Sequence, residues 1–472
     1  MGCNHVTAAA AAPPVLESLE GRTLFSTYVV TNALDAGAGS LRQAMLDANK
    51  HAGLDEIHFA IGAGPRTIAP VTALPTVSDP VVLDATTQPG FAGKPLIELT
   101  GRNATTTSSV NGISITAGNS VVRGLVINRF SGNGVRLLTR GGNVVCGNYI
   151  GTDATGTLAA PNGGQGVFVQ SPGNVVGGSV ASARNVISGN AKNGVQLYTA
   201  AASGNTISGN YVGTDATGRV KLGNGQCGVA VDGAADNLIG GFTAASRNVI
   251  SANATDGVLV ADAGATGNRV WGNYVGTDAR GLYKLGNGTY GVEVSQPGNS
   301  VGAPMPRARN VISGNTKSGV VLYLASATGN TVQGNFIGTD ASGRRDLGNG
   351  GRGVDITNGP ADNLIGGASA AARNVISGND SGGIGVYAAA TRNRVEGNFI
   401  GTDAYGASPL PNGGLAAVVV ISSAGVGNVI GGAGLGAGNV ICSDGPALSI
   451  SATSATLSAG NRIVTGVIFP LL

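Results

Sequence analysis

The ten residues Gly209 to Gly218, GNYVGTDATG, recur with small changes at four other places, setting Asp at positions 153, 215, 278, 340 and 403, 62 or 63 residues apart. A period this regular means that each repeat is one structural unit, which buries its apolar side only against its neighbours. The 472 residues are therefore expected to form one elongated body, not the two or three globular domains that length alone suggests.

The unit divides again. GN or DN followed by an alternating apolar pair puts Asn at 119, 143, 174, 205, 237, 268, 299, 330, 363, 393, 428 and 461, a first step of 24 residues and later ones of 30 to 35. The coil that opens at Asn174 holds three strand-like pieces, NVVGG, RNVISGN from Arg184 and GVQLY from Gly194, each alternating apolar and polar with Gly or Asn at its ends. Three short strands per coil, repeated about every 24 to 31 residues, predict a parallel β-helix in which each strand stacks on its equivalent one coil away. One coil buries too few inward side chains to offset the entropy of ordering its backbone, so only the stack is stable. A five-bladed propeller would also explain a 62-residue period, but it predicts no likeness between half-repeats.

Insertions alternate between two corners: after the first strand in even coils, as in GGSVASA (177–183), and after the second in odd coils, as in ATGRVKLGNGQ (216–226). Aligning GNYVGTD with RNVISGN sets Asp153, Asp215, Asp278, Asp340 and Asp403 against Asn190, Asn253, Asn315 and Asn379. That predicts an alternating Asp/Asn ladder. Carboxylates on adjacent coils, about 4.8 Å apart, repel by about 0.9 kcal/mol even in water, and spacing them two coils apart lowers this to about 0.4 kcal/mol. The same five Asp are also the metal candidates, as a row of cation or sugar contacts. The coil-opening residues Asn143, Asn174, Asn205, Asn237, Asn268, Asn299, Asn330, Asn363 and Asn393 read as a structural ladder that tolerates left-handed backbone and satisfies buried carbonyls.

Composition excludes several functions. Charged residues make up 11% with a formal net charge of +3, without the basic clusters of a nucleic-acid binder. The 81 Gly, with 42% hydrophobic and 4% aromatic residues, fit tight turns around a narrow aliphatic core. Cys3, Cys146, Cys227 and Cys442 show neither metal-ligand spacing nor obvious pairing. His5, His51 and His58 all precede the repeats, so the array has no imidazole for catalysis or metal binding. No apolar run reaches the roughly 18 residues that span a bilayer, and MGCNHVTAAAAAPP lacks the basic start of a signal peptide.

The ends differ from the array. Residues 1–26 read as an export or targeting-like segment, 27–62 as an N-terminal cap and 63–472 as the repeats. SLRQAMLDANK puts Leu41, Ala44, Met45 and Ala48 on one helical face with Ser40 as N-cap, a short helix suited to cover the open end of the core. The end at NRIVTGVIFPLL shows no comparable cover.

GAGSLRQAMLDANKHAGLDEIHFAIG resembles the CSLREA-type segment that precedes right-handed parallel β-helix repeats in bacterial surface proteins, with Gly39 where that name has Cys. LESLEGRTLFS (16–26) is similar to the LEPR-XLL-type motif of secreted or surface proteins of planctomycete-like bacteria, with Gly21 in place of its Pro. The resemblance implies an all-β fold, a single-stranded right-handed parallel β-helix solenoid of about a dozen coils with a short N-terminal capping helix, at an extracellular or cell-surface location. The wider group includes pectate lyases, polygalacturonases, epimerases, tailspikes and adhesins, so the fold does not choose an activity.

A pectate-lyase-like site needs clustered carboxylates for Ca²⁺ and an Arg base near the substrate. In the GVxV strands the outward residue runs Arg136, Phe168, Gln196, Ala230, Leu259, Glu293, Val321 and Asp355. Glu293 and Asp355 lie two coils apart, about 9.6 Å, which nears the upper range of an inverting glycosidase pair, yet they read more simply as two solvated surface acids. The lack of His after residue 58 removes any likeness to the Gly-His-Gly segment of polygalacturonases. Trp271, in the outward column Cys146, Ser208, Trp271, Gln333 and Glu396, could stack on a sugar or simply pack at an edge. The expectation is a structural or adhesive module that binds an extracellular polysaccharide or other surface polymer, with no catalytic constellation, no cofactor and no nucleic-acid partner. A carbohydrate-active enzyme of pectate-lyase-like type, using the Glu293 to Asp355 region and Ca²⁺, is the alternative; a passive spacer is the third.

Overall fold

The computed structural model describes residues 25–104, 109–413, 419–450 and 457–465. The LESLEGRTLFS motif up to Leu24, the segment 1–24 with Cys3 and His5, and the last residues 466–472 lie outside them.

Each coil sends its three strands to three different sheets, of 15, 14 and 12 strands, and every strand pairing within them is parallel. In the coil opening at Asn174 the strands are Val175–Gly177, Val186–Ile187 and Val195–Tyr198. One coil later they meet Thr206–Ser208, Tyr211–Val212 and Val229–Asp232, with Val176 beside Ile207, Ile187 beside Val212 and Leu197 beside Val231. Strand alternation turns Val176, Ile187, Val195 and Leu197 inward, where each is fully buried, and leaves Gln196 and Tyr198 on the outside. Stacked this way, the inward residues form one unbroken aliphatic core from Val30 to Ala447. The protein is an all-β parallel β-helix solenoid.

All three corners of the coil carry an asparagine ladder. At the corner before the first sheet the column runs from Asn143 through Asn174, Asn205, Asn237, Asn268, Asn299, Asn330, Asn363 and Asn393 to Asn428. Asn119 falls one residue short of it, since the peptide N–H of Ser120 donates to Asn143. Asn461 belongs to the second column, which joins Asn148, Asn185, Asn210 and Asn248 and continues to Asn439 and Asn461. The third column is Asn162, Asn190, Asn224, Asn253, Asn287, Asn315, Asn349, Asn379 and Asn412.

This third column corrects the expected Asp/Asn alternation. The partner of Asn190 and Asn253 is Asn224 of the LGNG segment, not Asp215. The chemistry of the ladder requires it. Asn253 Oδ1 accepts from both the peptide N–H and Nδ2 of Asn224, at 3.3 and 2.9 Å, while its own N–H and Nδ2 donate to Asn287 Oδ1 at 3.1 and 3.0 Å. Every rung must accept on one side and donate on the other, and a carboxylate cannot donate. The odd-coil insertion therefore loops out at Thr-Asp and returns to the column nine residues after the Asp, at Asn224 for Asp215.

The loop itself is a small hairpin. Thr214 bridges Lys221 across it, and Gly218 closes the turn by donating to the Asp215 carbonyl with φ +69°. Loops two coils apart are bonded to one another: Ala216 N–H to the Gly156 carbonyl, Ala279 to Gly218, Ala341 to Gly281 and Ala404 to Gly343. They roof a second, smaller apolar layer on the outer face of the second sheet, where Tyr274, Val311, Phe336, Val375 and Phe399 are buried.

At the N-terminal end, helix α1 (Leu41–Ala48) is capped by Ser40, whose side-chain oxygen accepts from the Gln43 N–H, and it buries Leu41, Ala44, Met45 and Ala48 on the core. The strands that flank it, Thr27–Val30 and Asp55–Phe59, are already the first two members of the first sheet.

Candidate functional site

The five Asp of the GTDATG loops are engaged by their own loops. Asp215 Oδ1 accepts from the peptide N–H groups of Arg219 and Val220, both at 3.0 Å, and from the Thr217 hydroxyl at 2.8 Å. Asp153, Asp278, Asp340 and Asp403 receive the equivalent two N–H groups. Burial alone would raise Asp153 and Asp403, but the bonds from their loops hold both below the usual carboxylate range. Donors already aimed at these carboxylates oppose a cation at the same oxygens. Among the described residues no three His, Cys, Asp or Glu side chains gather into a group able to hold a metal ion.

Trp271 is half-buried on the outer face of the first sheet. Its indole N–H donates to Ser300 Oγ at 2.7 Å, and the ring lies 5.4 Å from that of Phe242, an aromatic neighbour that linear reading did not supply.

Glu293 and Asp355 stand in one outward column of the third sheet, Glu293 beside Val321 and Val321 beside Asp355. They are not two solvated acids. The turn residues before each strand fold over the same face and surround them. Asp256 accepts from the Thr289 hydroxyl and from the Tyr290 N–H at 3.0 Å, and the Lys317 ammonium sits 5.3 Å over the Tyr290 ring. One coil further the Ser318 hydroxyl donates to Asp355 Oδ2, Arg352 Nη1 lies 4.0 Å from Asp355 Oδ1, and the Arg352 guanidinium lies 4.9 Å over Tyr387. Asp355 Oδ1, Arg352 Nε and the Tyr387 hydroxyl are buried and make no hydrogen bond among the described residues.

Desolvation sets the charge of this patch. Burial pushes Glu293 up to about 7; Asp256 adds to the rise and Lys317 opposes it. Burial also raises Asp355 against the pull of Ser318 and Arg352, and it raises the Tyr387 and Tyr290 phenols, with Glu293 and Asp355 reinforcing it at Tyr290. Rings extend the face in both directions. Phe168 and Tyr198 lie 5.8 Å apart at one end, and Tyr323 and Tyr387 follow in the second outward column. Gln196 donates to Asp232 between them.

Sequence reading found Glu293 and Asp355 but missed Asp256, Tyr290, Ser318 and Arg352. All four occupy one column, the residue immediately before the Gly that opens each third strand, so a column-by-column scan of the turns would have found them.

No family model matches the chain, and no curated protein matches it in sequence. Solved structures that resemble it include the periplasmic alginate epimerase AlgG, at 14% identity and a TM-score of 0.42 over 88% of this chain and 77% of that one. The Azotobacter vinelandii mannuronan C-5 epimerase AlgE4 A-module gives 14% and 0.37 over 93% and 97%. Tailspike protein 3 of bacteriophage CBA120 gives 10% and 0.42 over 94% and 62%.

Proposed function

We propose that this protein is a rigid extracellular or cell-surface module that binds a polysaccharide along the outer face of its third sheet. The observation that carries this reading is the company on that face: half-buried rings of Phe168, Tyr290, Tyr323 and Tyr387 interleaved with the hydrogen-bonding groups of Gln196, Asp232, Glu293 and Asp355. Flat amphipathic rings stack on sugar faces and fixed carboxylates accept from sugar hydroxyls, and a sheet built of identical rungs holds both in register with a repeating polymer. The test is binding of the full chain to a glycan panel. Tyr198→Ala and Tyr323→Ala are each expected to weaken the best ligand by about two- to tenfold; unchanged binding by both variants would move the site off this face.

One observation favours a second reading, in which the same face processes an acidic polysaccharide. Glu293, held near 7, is poised to exchange a proton at neutral pH, and Tyr290, Lys317 and Asp256 surround it. Assaying uronic-acid polysaccharides with and without Ca²⁺ for unsaturated product and new reducing ends separates the readings. Turnover that Glu293→Gln abolishes makes the face catalytic, and silence from folded protein leaves it a binding surface.

A further inference from the structure

The flank formed by the second sheet carries a row of arginines with no role in the third-sheet face. Arg184, Arg247, Arg309 and Arg373 each precede the second strand of an even coil, so they recur every two coils, about 9.6 Å apart. Each guanidinium carbon lies over a ring of the next coil: Arg184 4.3 Å from the centroid of Tyr211, and Arg247, Arg309 and Arg373 each 4.1 Å from those of Tyr274, Phe336 and Phe399. Each Nε donates to a carbonyl, of Gly209, Gly272, Gly334 and Gly397 respectively. Two contacts per residue fix the planes in place.

What the row lacks is an anion. Among the described residues none of the four forms an ion pair with a carboxylate. The Asp of the hairpin loops, which recur with the same two-coil period, are engaged by their own N–H groups. Two clefts open along the row, at equivalent places two repeats apart. One, of about 720 Å³, is lined by Arg184, Tyr149 and Ala216; the other, of about 290 Å³, contains Arg247, Arg307 and Arg309 with no Asp or Glu in its lining. Burial lowers Arg309 and Arg373 from the usual guanidinium range, the direction expected of cations withdrawn from water without compensation. Packing over the aromatic layer needs apolar surface, which methionine or leucine would supply without that cost. A planar fork fixed by its Nε, with its terminal nitrogens making no hydrogen bond to the described residues, is suited to a carboxylate or sulfate.

We infer that this groove binds a linear acidic polysaccharide laid along the solenoid axis, with its anionic groups meeting Arg184, Arg247, Arg309 and Arg373 in turn. The interval of about 9.6 Å is on the scale of a disaccharide. Duplex DNA, with a charge about every 1.7 Å of axis, presents a far denser array than the groove can match.

The probe is polygalacturonate, with dextran as the neutral control and duplex DNA as the competing polyanion, titrated against the full chain over a range of salt. Polygalacturonate is expected to bind, dextran to bind this groove not at all, and DNA to bind at least tenfold more weakly. The variant R247Q/R309Q is expected to lose at least tenfold in polygalacturonate affinity and about two units of salt slope. R247K/R309K, which keeps the charge and loses the fork, is expected to fall between. Should R247Q/R309Q not fold, R184Q, at the far end of the row, gives the same reading with a loss of about threefold. Tyr198→Ala and Tyr323→Ala leave this binding unchanged, which separates the groove from the third-sheet site. Undiminished affinity in the glutamine variants, or equal affinity for DNA, would overturn the inference.

Discussion

Amide and carboxylate differ by one donor, and at the residue scale that difference organises the molecule. Ladder positions demand a group that accepts and donates at once; loop positions demand only an acceptor for two N–H groups. Asn253→Asp keeps the bonds from Asn224 but turns an oxygen toward Asn287 Oδ1 and the Val212 carbonyl, leaving an uncompensated charge in the core wall. A loss of about 3–5 kcal/mol is expected. Asp215→Asn keeps the acceptor for Arg219 and Val220, so its cost is about 1 kcal/mol or less. Denaturation midpoints of the two variants check this asymmetry. Glu293 gives a second prediction. Its folded value of about 7 lies above the ordinary 4.5, so between those pH values the folded protein holds a proton that the unfolded chain has released. Stability therefore falls as pH rises from 4.5 to 7, and Glu293→Gln removes that part of the fall. The midpoints of the two proteins are expected to differ by a constant amount below pH 4.5 and to diverge in favour of the variant up to pH 7; parallel curves would contradict the assignment.

Among elements, the hairpin loop is the unit whose role changes most between sequence and structure. It reads as an insertion, yet it roofs the aromatic layer and bonds to its counterpart two coils away. Gly218 is where these demands meet: φ is +69°, and a Cβ there would lie 2.7 Å from Ala279 Cβ and 2.8 Å from the Tyr211 ring. Gly173 has a similar φ of +63° but open space around it. Gly173→Ala is expected to cost about 1 kcal/mol of backbone strain. Gly218→Ala adds the clash and is expected to cost about 2–3 kcal/mol. Hydrogen exchange checks where the damage falls. The Ala279 amide, bonded to the Gly218 carbonyl, is expected to lose protection in Gly218→Ala while the core amide of Ile250 keeps it.

For the whole molecule, a stack of identical rungs is stable only while its ends are covered, because an open coil presents unpaired peptide groups and an apolar cross-section. Helix α1 supplies that cover through Leu41 and Met45, each 1% exposed. Met45→Glu is expected to lift the helix from the end and to produce association of the folded chain, seen as species heavier than wild type in light scattering after size exclusion.

The sequence by itself determined the solenoid, the helix and its cap, and the outward column with Glu293 and Asp355. Each is a matter of period: strand alternation and a repeat near 31 residues are linear properties that the fold obeys locally. It also marked one asparagine column, but not the other two, because alternate coils reach the third corner after insertions of different length and counting loses register there. The tertiary structure decided which residue answers which across a coil. It replaced Asp215 by Asn224 in the ladder, drew Asp256, Tyr290 and Arg352 over the acids of the third sheet, and laid Arg184 on Tyr211 from the coil before. Across coils these contacts join residues 27 positions apart for Arg184 and Tyr211, and 34 apart for Asn190 and Asn224 and for Asp256 and Tyr290, through stacking whose register is set by hydrogen bonding and burial in three dimensions.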